Sequence, residues 1–228
     1  AMTLDTISRP PSLVEKVCQS LAAIARRDRQ EDDGWLPTER ELSAQLGVSR
    51  SVVREAAKRL ELQGLLEIRQ GSGMKVVDKL HKPLSSAVHM LVPDEKQRLV
   101  QLTEVRFALE PENARLAAER ASATELKRLK AAHDNLKTCQ DFETQVLADM
   151  EFHCLIAEAS GNKIGSLLMQ SLSDLLQTSL KHGYSRVTKD KAVADHEKIL
   201  KAILARNPAA SAKAMRLHLD HARTDLGL

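Results

Sequence analysis

The sequence predicts a mainly α chain in two parts, an N-terminal winged helix-turn-helix domain and a C-terminal all-α antiparallel helical bundle. Three observations carry this. Aromatic residues are only 2% of the 228 residues while hydrophobic residues are 43%, so the core must be aliphatic, a composition that favours helices over sandwiched sheets. The stretch LPTERELSAQLGVSRSVVRE sets two helical patterns around a tight turn, the spacing of a helix-turn-helix. Beyond residue 95 or so, the apolar pattern is helical to the end of the chain.

The elements follow in order. Leu13, Val17, Leu21 and Ile24 form one helical stripe. Thr38 followed by Glu41 is a capping box that starts a second helix, with Leu42 and Leu46 as its apolar residues and Gly47 as its stop. Ser49 is suited to cap a third helix, which runs to about Gln63 with Val53, Ala56, Ala57 and Leu60 facing inward. Gly64 closes it, and LLEIRQGSGMKVVD then reads as two short strands around a Gly-Ser-Gly turn. This winged helix-turn-helix domain is expected over 10–78. A linker over 79–95 contains Pro83, Pro93 and a short helix. The third region, 96–228, reads as six or seven helices, at about 96–119, 122–139, 141–160, 162–182, 189–206 and 208–226. Pro111 is expected to kink or split the first, and Gly161-Asn162 marks a stop and restart.

Composition bounds the function without naming it. A formal net charge of +3 is too small to prove a polyanionic partner, so any nucleic-acid argument rests on where the charge lies. Cys18, Cys139 and Cys154 are odd in number and lack a CxxC pair, which reads as reduced thiols in a cytoplasmic protein. No apolar run approaches the ~20 residues of a membrane span. No signal peptide is read, and Ala1 is taken as an addition ahead of Met2.

A winged helix-turn-helix lays the N-terminal end of its second helix in the DNA major groove. Ser49, Arg50, Ser51 and Arg54 occupy that end. Arginine matches the two acceptors on a guanine edge, and serine hydroxyls at a helix N-terminus suit phosphate oxygens. The plainer reading is two solvated arginines diluted by Glu55, Glu61 and Glu67.

In the helical half, polar residues lie on apolar stripes. Asp149 and His153 are one turn apart, with Val146 and Ile156 on the same face. His196 lies with Ile199 and Ile203, and His218 with Met215 and Ala222. Buried, these four would be costly unless satisfied, and a divalent metal held by all of them is one economical solution. The alternative is ordinary core or surface histidines, of which the chain has eight; His133 and His182 read as exposed. Arg106 shares a stripe with Leu99, Leu102 and Leu109. It either pairs with Glu110 one turn on or clamps a carboxylate ligand. Asn162 either lines a pocket or caps a helix.

The segment LPTERELSAQLGVSRSVVREAAKRLELQGLLEIRQGSGMKVV closely resembles, without gaps, the DNA-binding domain of the GntR family of bacterial transcription regulators. The resemblance implies that Arg40, Ser49, Arg50, Ser51 and Arg54 contact the operator and that Gly71, at the wing tip, approaches the minor groove. Pro37 and Glu39 would shape the turn; Gln70 stands where some relatives have histidine before the wing glycine. The segments VRFALEPENARLAAERA, DMEFHCLIAEASGN, DHEKILKAI and AMRLHLDHA are similar to the FCD ligand-binding domain of the FadR-type branch. Metal-binding members carry Asp-x3-His, His and His at these points. The resemblance therefore implies Asp149, His153, His196 and His218 as ligands of a divalent metal, zinc first, with nickel, manganese and iron compatible. It also implies Arg106, with Asn162, as binding a small organic acid rather than an acyl-CoA. The implied protein is a cytoplasmic homodimeric regulator, a repressor by preference. It would bind pseudo-palindromic double-stranded operator DNA and have no membrane partner. Two rivals remain at this level. One is a metal-dependent enzyme, for which only the unspecific Glu151 and Glu158 offer a general base. The other is an architectural, effector-independent DNA-binding dimer with a purely structural metal site.

Overall fold

The computed structural model describes residues 11–27, 34–184 and 189–227. The expected domain ends at 10 and 228 lie outside them. The chain divides into two compact units at Pro83 and Leu84. The first holds α1 (Leu13–Arg27), α2 (Glu39–Leu46), α3 (Arg50–Leu62), β1 (Leu66–Arg69) and β2 (Gly73–Val76). Then come α4 (Lys82–Leu91), α5 (Glu95–Arg120), α6 (Ala123–Thr138), α7 (Phe142–Ala159), α8 (Lys163–Ser171), α9 (Ser173–Tyr184), α10 (Lys189–Leu204) and α11 (Pro208–Leu226).

In the first unit, local chemistry sets the helix boundaries. The Thr38 hydroxyl accepts from the Glu41 amide while the Glu41 carboxylate accepts from the Thr38 amide, so both orphan donors at the start of α2 are satisfied. Gly47 ends α2 in the left-handed region at φ 65°. The Ser43 hydroxyl donates to the Val48 carbonyl at 2.6 Å, closing the turn, and Ser49 caps α3 through the Val52 amide. Val17 and Leu21 of α1, Leu42 of α2, Val53, Ala56, Ala57 and Leu60 of α3, and Leu66 and Met74 of the hairpin form one core. The hairpin is antiparallel, Leu66 opposite Val76 and Arg69 opposite Gly73. Trp35 bridges to Lys75 on its far edge.

In the second unit α5 packs along α11 and α7, α6, α8 and α9 also pack on α7, and α10 packs against α11, α6 and α5. Ala114, Ala117 and Ala118 of α5 and its C-cap Ala121 meet Phe152, Ile156, Ile199, Ile203 and Met215 in the core. Small side chains on α5 let the neighbouring helices come close. Helix α7 buries Val146, Asp149, Phe152, His153, Leu155 and Ile156; a helix buried on most of its sides lies at the centre of its domain.

Pro111, expected to kink or split its helix, does not split α5, which runs unbroken through it; the missing N–H costs one backbone bond that packing of this buried segment offsets. The helix expected over 162–182 is two, α8 and α9, parted at Leu172. The stretch expected as a linker, 79–95, holds α4, where the buried Ser85 donates to the Ser171 carbonyl at 2.8 Å, so from Leu84 on the chain packs within the second unit.

Among the described glycines, the one at the joint after α3 has the least room. Gly64 has φ 76°, and a Cβ there would lie 2.1 Å from the Lys79 carbonyl oxygen. Gly47, also left-handed, has open space around it. Gly64→Ala is therefore expected to destabilise the protein by more than Gly47→Ala, which costs only the left-handed conformation, about 1–2 kcal/mol. Urea unfolding of the two variants checks the order; equal losses would contradict it.

Candidate metal centre and nucleic-acid interface

The DNA-facing residues predicted from the sequence lie at the ends of α2 and α3. Arg40, Ser49, Arg50, Ser51 and Arg54 are all exposed. The Ser49 and Ser51 hydroxyls are 2.8 Å apart at the first turn of α3, where the helix dipole favours anions. Gly71, at φ 79°, sits in the turn between β1 and β2. Arg54 is not free: its guanidinium donates twice to Glu39, at 3.0 and 2.7 Å. That bidentate bond holds the Glu39 carboxyl below its usual range and ties α3 to the start of α2. Glu39, expected to shape the turn, instead pairs with Arg54. Behind the hairpin, Arg69 and Lys75 lie over the Trp35 ring at 5.7 and 5.6 Å.

The second site is built by five helices. Asp149 and His153 come from α7, His196 from α10, His218 from α11, Arg106 and Glu110 from α5, and Tyr184 from the last residue of α9. Asp149, His153, His196 and His218 are all buried. His153 Nε2 is 3.3 Å from Asp149 Oδ1 and 3.3 Å from His218 Nε2. His196 Nε2 lies 3.8 Å from Asp149 Oδ1. One donor atom from each imidazole falls within 4.8 Å of the others. Ligand atoms about 2.1 Å from one metal stand about 3.0 Å apart at octahedral and about 3.4 Å apart at tetrahedral angles, so the spacing fits a shared ion with small adjustment.

Hydrogen bonding makes the same point. Among the described residues, Asp149 Oδ1 and both ring nitrogens of His196 are buried without a hydrogen-bond partner. Such atoms are rare in a folded interior and cost free energy unless something satisfies them. The His196 ring is held by packing instead, stacked on Phe152 with centroids 4.3 Å apart.

His153 is oriented from behind. Glu110 Oε2 lies 2.5 Å from its Nδ1, and Arg106 Nε donates to the other oxygen of Glu110. This is the carboxylate–histidine arrangement that fixes the tautomer of a metal-binding imidazole. The electrostatics follow. Burial would raise both carboxyls, but Arg106 and His153 hold Glu110 far below the carboxylate range, and His196 and His153 do the same for Asp149. Burial opposes a charged His153, yet Glu110 and Asp149 outweigh it and push it up to about 9. Burial pushes His196 down to about 4 and His218 well below its usual value, leaving neutral rings of the kind that bind metal.

A small cavity, about 50 Å³, opens beside the cluster, lined by Arg106, Asp149, Tyr184, Lys191 and His218 among others. The Tyr184 hydroxyl donates to Asp149 Oδ2 at 2.6 Å. Burial and the Asp149 charge keep that hydroxyl protonated far above its usual range. Near the mouth, Asp195 pairs with His221 and Lys198, so His221 is set apart from the cluster that holds His218.

Asp149, His153, His196 and His218, grouped from the sequence, lie together. The sequence left Arg106 between two roles, and the structure shows the pair with Glu110 while Arg106 also lines the cavity. Asn162 is the N-cap of α8, accepting from the Gly165 amide, and does not line the cavity. His133, read as exposed, is buried against Phe152. Glu110 was seen only as a salt-bridge partner; its i,i−4 spacing to Arg106 was legible, its bond to His153 across 43 residues was not. Tyr184 carried no signal beyond being the chain's single tyrosine.

Comparisons with known proteins agree with this division. Residues 14–76 match the family profile described as bacterial regulatory proteins, gntR family, and residues 101–221 match the FCD domain. The "Putative L-lactate dehydrogenase operon regulatory protein" of Escherichia coli (strain K12) is 30% identical over 231 residues, 95% of this chain and 87% of the relative. The "HTH-type transcriptional regulator LutR" of Bacillus subtilis (strain 168) is 34% identical over 191 residues, 79% of this chain and 85% of the relative. Among solved structures, "Streptococcus agalactiae GntR" superposes with a TM-score of 0.73 at 30% identity, covering 92% of this chain and 99% of that one. The chain belongs to the GntR family of bacterial regulatory proteins, as a DNA-binding transcription regulator whose helical half is an FCD domain.

Proposed function

We propose that the protein is a repressor whose operator binding is relieved by a small carboxylate held at a metal in the helical unit. The observation that carries this reading is the convergence of Asp149, His153, His196 and His218, with unpartnered buried donor atoms, beside a cavity that Arg106 also lines. The four residues would hold a divalent ion, zinc in the first place and nickel, manganese or iron as alternatives. Bound there, the ion would supply a Lewis-acidic centre for a carboxylate oxygen. Arg106 gives Glu110 its Nε–H, and a guanidinium has five donors, leaving it able to meet an incoming carboxylate. The E. coli relative is named for an L-lactate dehydrogenase operon, in keeping with a small acid.

On the DNA side, Arg50 with Ser49 and Ser51 would read and anchor the major groove, Arg40 would contact the backbone, and Gly71 would let the wing approach the minor groove. Arg54 would reach the operator from its bond to Glu39, which holds it extended. A homodimer acting in the bacterial cytoplasm would present two such units to a pseudo-palindromic operator. The acid then shifts the equilibrium by binding one arrangement of the dimer more tightly than the other.

Two measurements test these halves separately. Arg50→Ala is expected to weaken binding to an operator selected from random duplexes by ~1–3 kcal/mol and to relax its sequence preference; anisotropy titrations with an unchanged profile would remove Arg50 from the interface. In a thermal-shift screen of small carboxylates, a true effector at a hundredfold its Kd is expected to raise Tm by roughly 5 °C. A chelator should abolish the shift. Shifts that survive chelation, or none from any acid, would sink the metal-linked effector.

A further inference from the structure

We propose that Tyr184 is a positioning residue of the metal centre, its hydroxyl turning Asp149 so that one carboxylate oxygen alone faces the three imidazoles. This rests on the metal reading above and deepens it. The two oxygens of Asp149 have different surroundings. Oδ2 accepts from the Tyr184 hydroxyl at 2.6 Å. Oδ1 lies 3.3 Å from His153 Nε2 and 3.8 Å from His196 Nε2 and has no hydrogen-bond partner among the described residues. A carboxylate can offer a cation one oxygen or two. With Oδ2 engaged by Tyr184, Asp149 offers one.

The consequence is a position left for a ligand that the protein does not supply. Four protein donors, each giving a single atom, leave room at any ion that takes more than four. Tyr184 lines the cavity together with Asp149, Arg106 and His218, so that room lies where the cavity is. The hydrogen bond also brings in α9, which otherwise gives the cluster no donor. Helix α9 is anchored in the unit by the buried Leu175, Leu176 and Ser179, so the hydroxyl is presented from a fixed support. A supporting hydrogen bond to a ligand residue is the kind of contact whose loss costs metal affinity while the ligands themselves remain.

Tyr184→Phe removes only the hydroxyl. Zinc affinity of the full chain, measured by competition with a chromophoric chelator, is expected to fall by about 10–100-fold, with far-UV circular dichroism unchanged. A second readout needs no variant. Tyr184 is the only tyrosine, so zinc binding to Asp149 should weaken its hydrogen bond and produce a tyrosine difference absorbance in the wild type. Zinc affinity of Tyr184→Phe within about twofold of wild type would overturn the inference and leave the metal centre standing. So would a wild type that binds zinc with no change in tyrosine absorbance, which decides the matter should the variant fail to fold. A wild type that takes no zinc from the chelator would overturn the metal centre itself, and this inference with it.

Discussion

The helical unit is organised around one buried carboxylate that faces three imidazoles. Asp149 is almost fully removed from water, and an ionised group in that position costs several kcal/mol unless neighbours compensate. Everything near it reads as compensation. Tyr184 satisfies one oxygen. His153 approaches the other and is itself held by Glu110, which Arg106 neutralises. In this state Glu110 and Asp149 carry two negative charges against Arg106 and a protonated His153. A divalent ion would take the place of the His153 Nε2 proton and also reach His196 and His218, which burial keeps neutral. Five helices must hold their places for those groups to meet, so the packing of α5, α7, α9, α10 and α11 and the chemistry of the site are one constraint.

The same logic of held polar groups runs through the DNA-binding unit at lower cost. Arg54 and Glu39 are both partly or wholly exposed, so their bond adds little stability. It links the two helices of the helix-turn-helix and fixes where the arginine sits. Ser49 acts in two ways, capping α3 while placing its hydroxyl beside Ser51 at the helix N-terminus. The buried centre cannot exchange its partners without losing stability; the exposed end of α3 can, which suits a surface that must both bind DNA and let it go.

What the sequence made legible was local or periodic. The capping box at Thr38 depends on residues three apart, and the Asp149–His153 pair on residues one turn apart on a helix that has to be buried. His196 and His218 stood out because each interrupts an apolar stripe. The missed features depend on where helices meet. Glu110 reaches His153 and Tyr184 reaches Asp149 only because α5 and α9 pack against α7. His133 looked exposed because its helix is mostly polar, yet it faces Phe152. The break between α8 and α9 at Leu172 lacks a glycine or proline to announce it, and Arg54 looked free because its partner lies on another helix.

The central question is whether Asp149, His153, His196 and His218 share one ion. Crystals of the protein grown with zinc, measured on both sides of the zinc absorption edge, address that directly. The account predicts a single strong anomalous peak about 2.0–2.2 Å from Asp149 Oδ1 and from one nitrogen of each of the three imidazoles. No peak there, with Asp149 and the histidines bonded to one another instead, would contradict it.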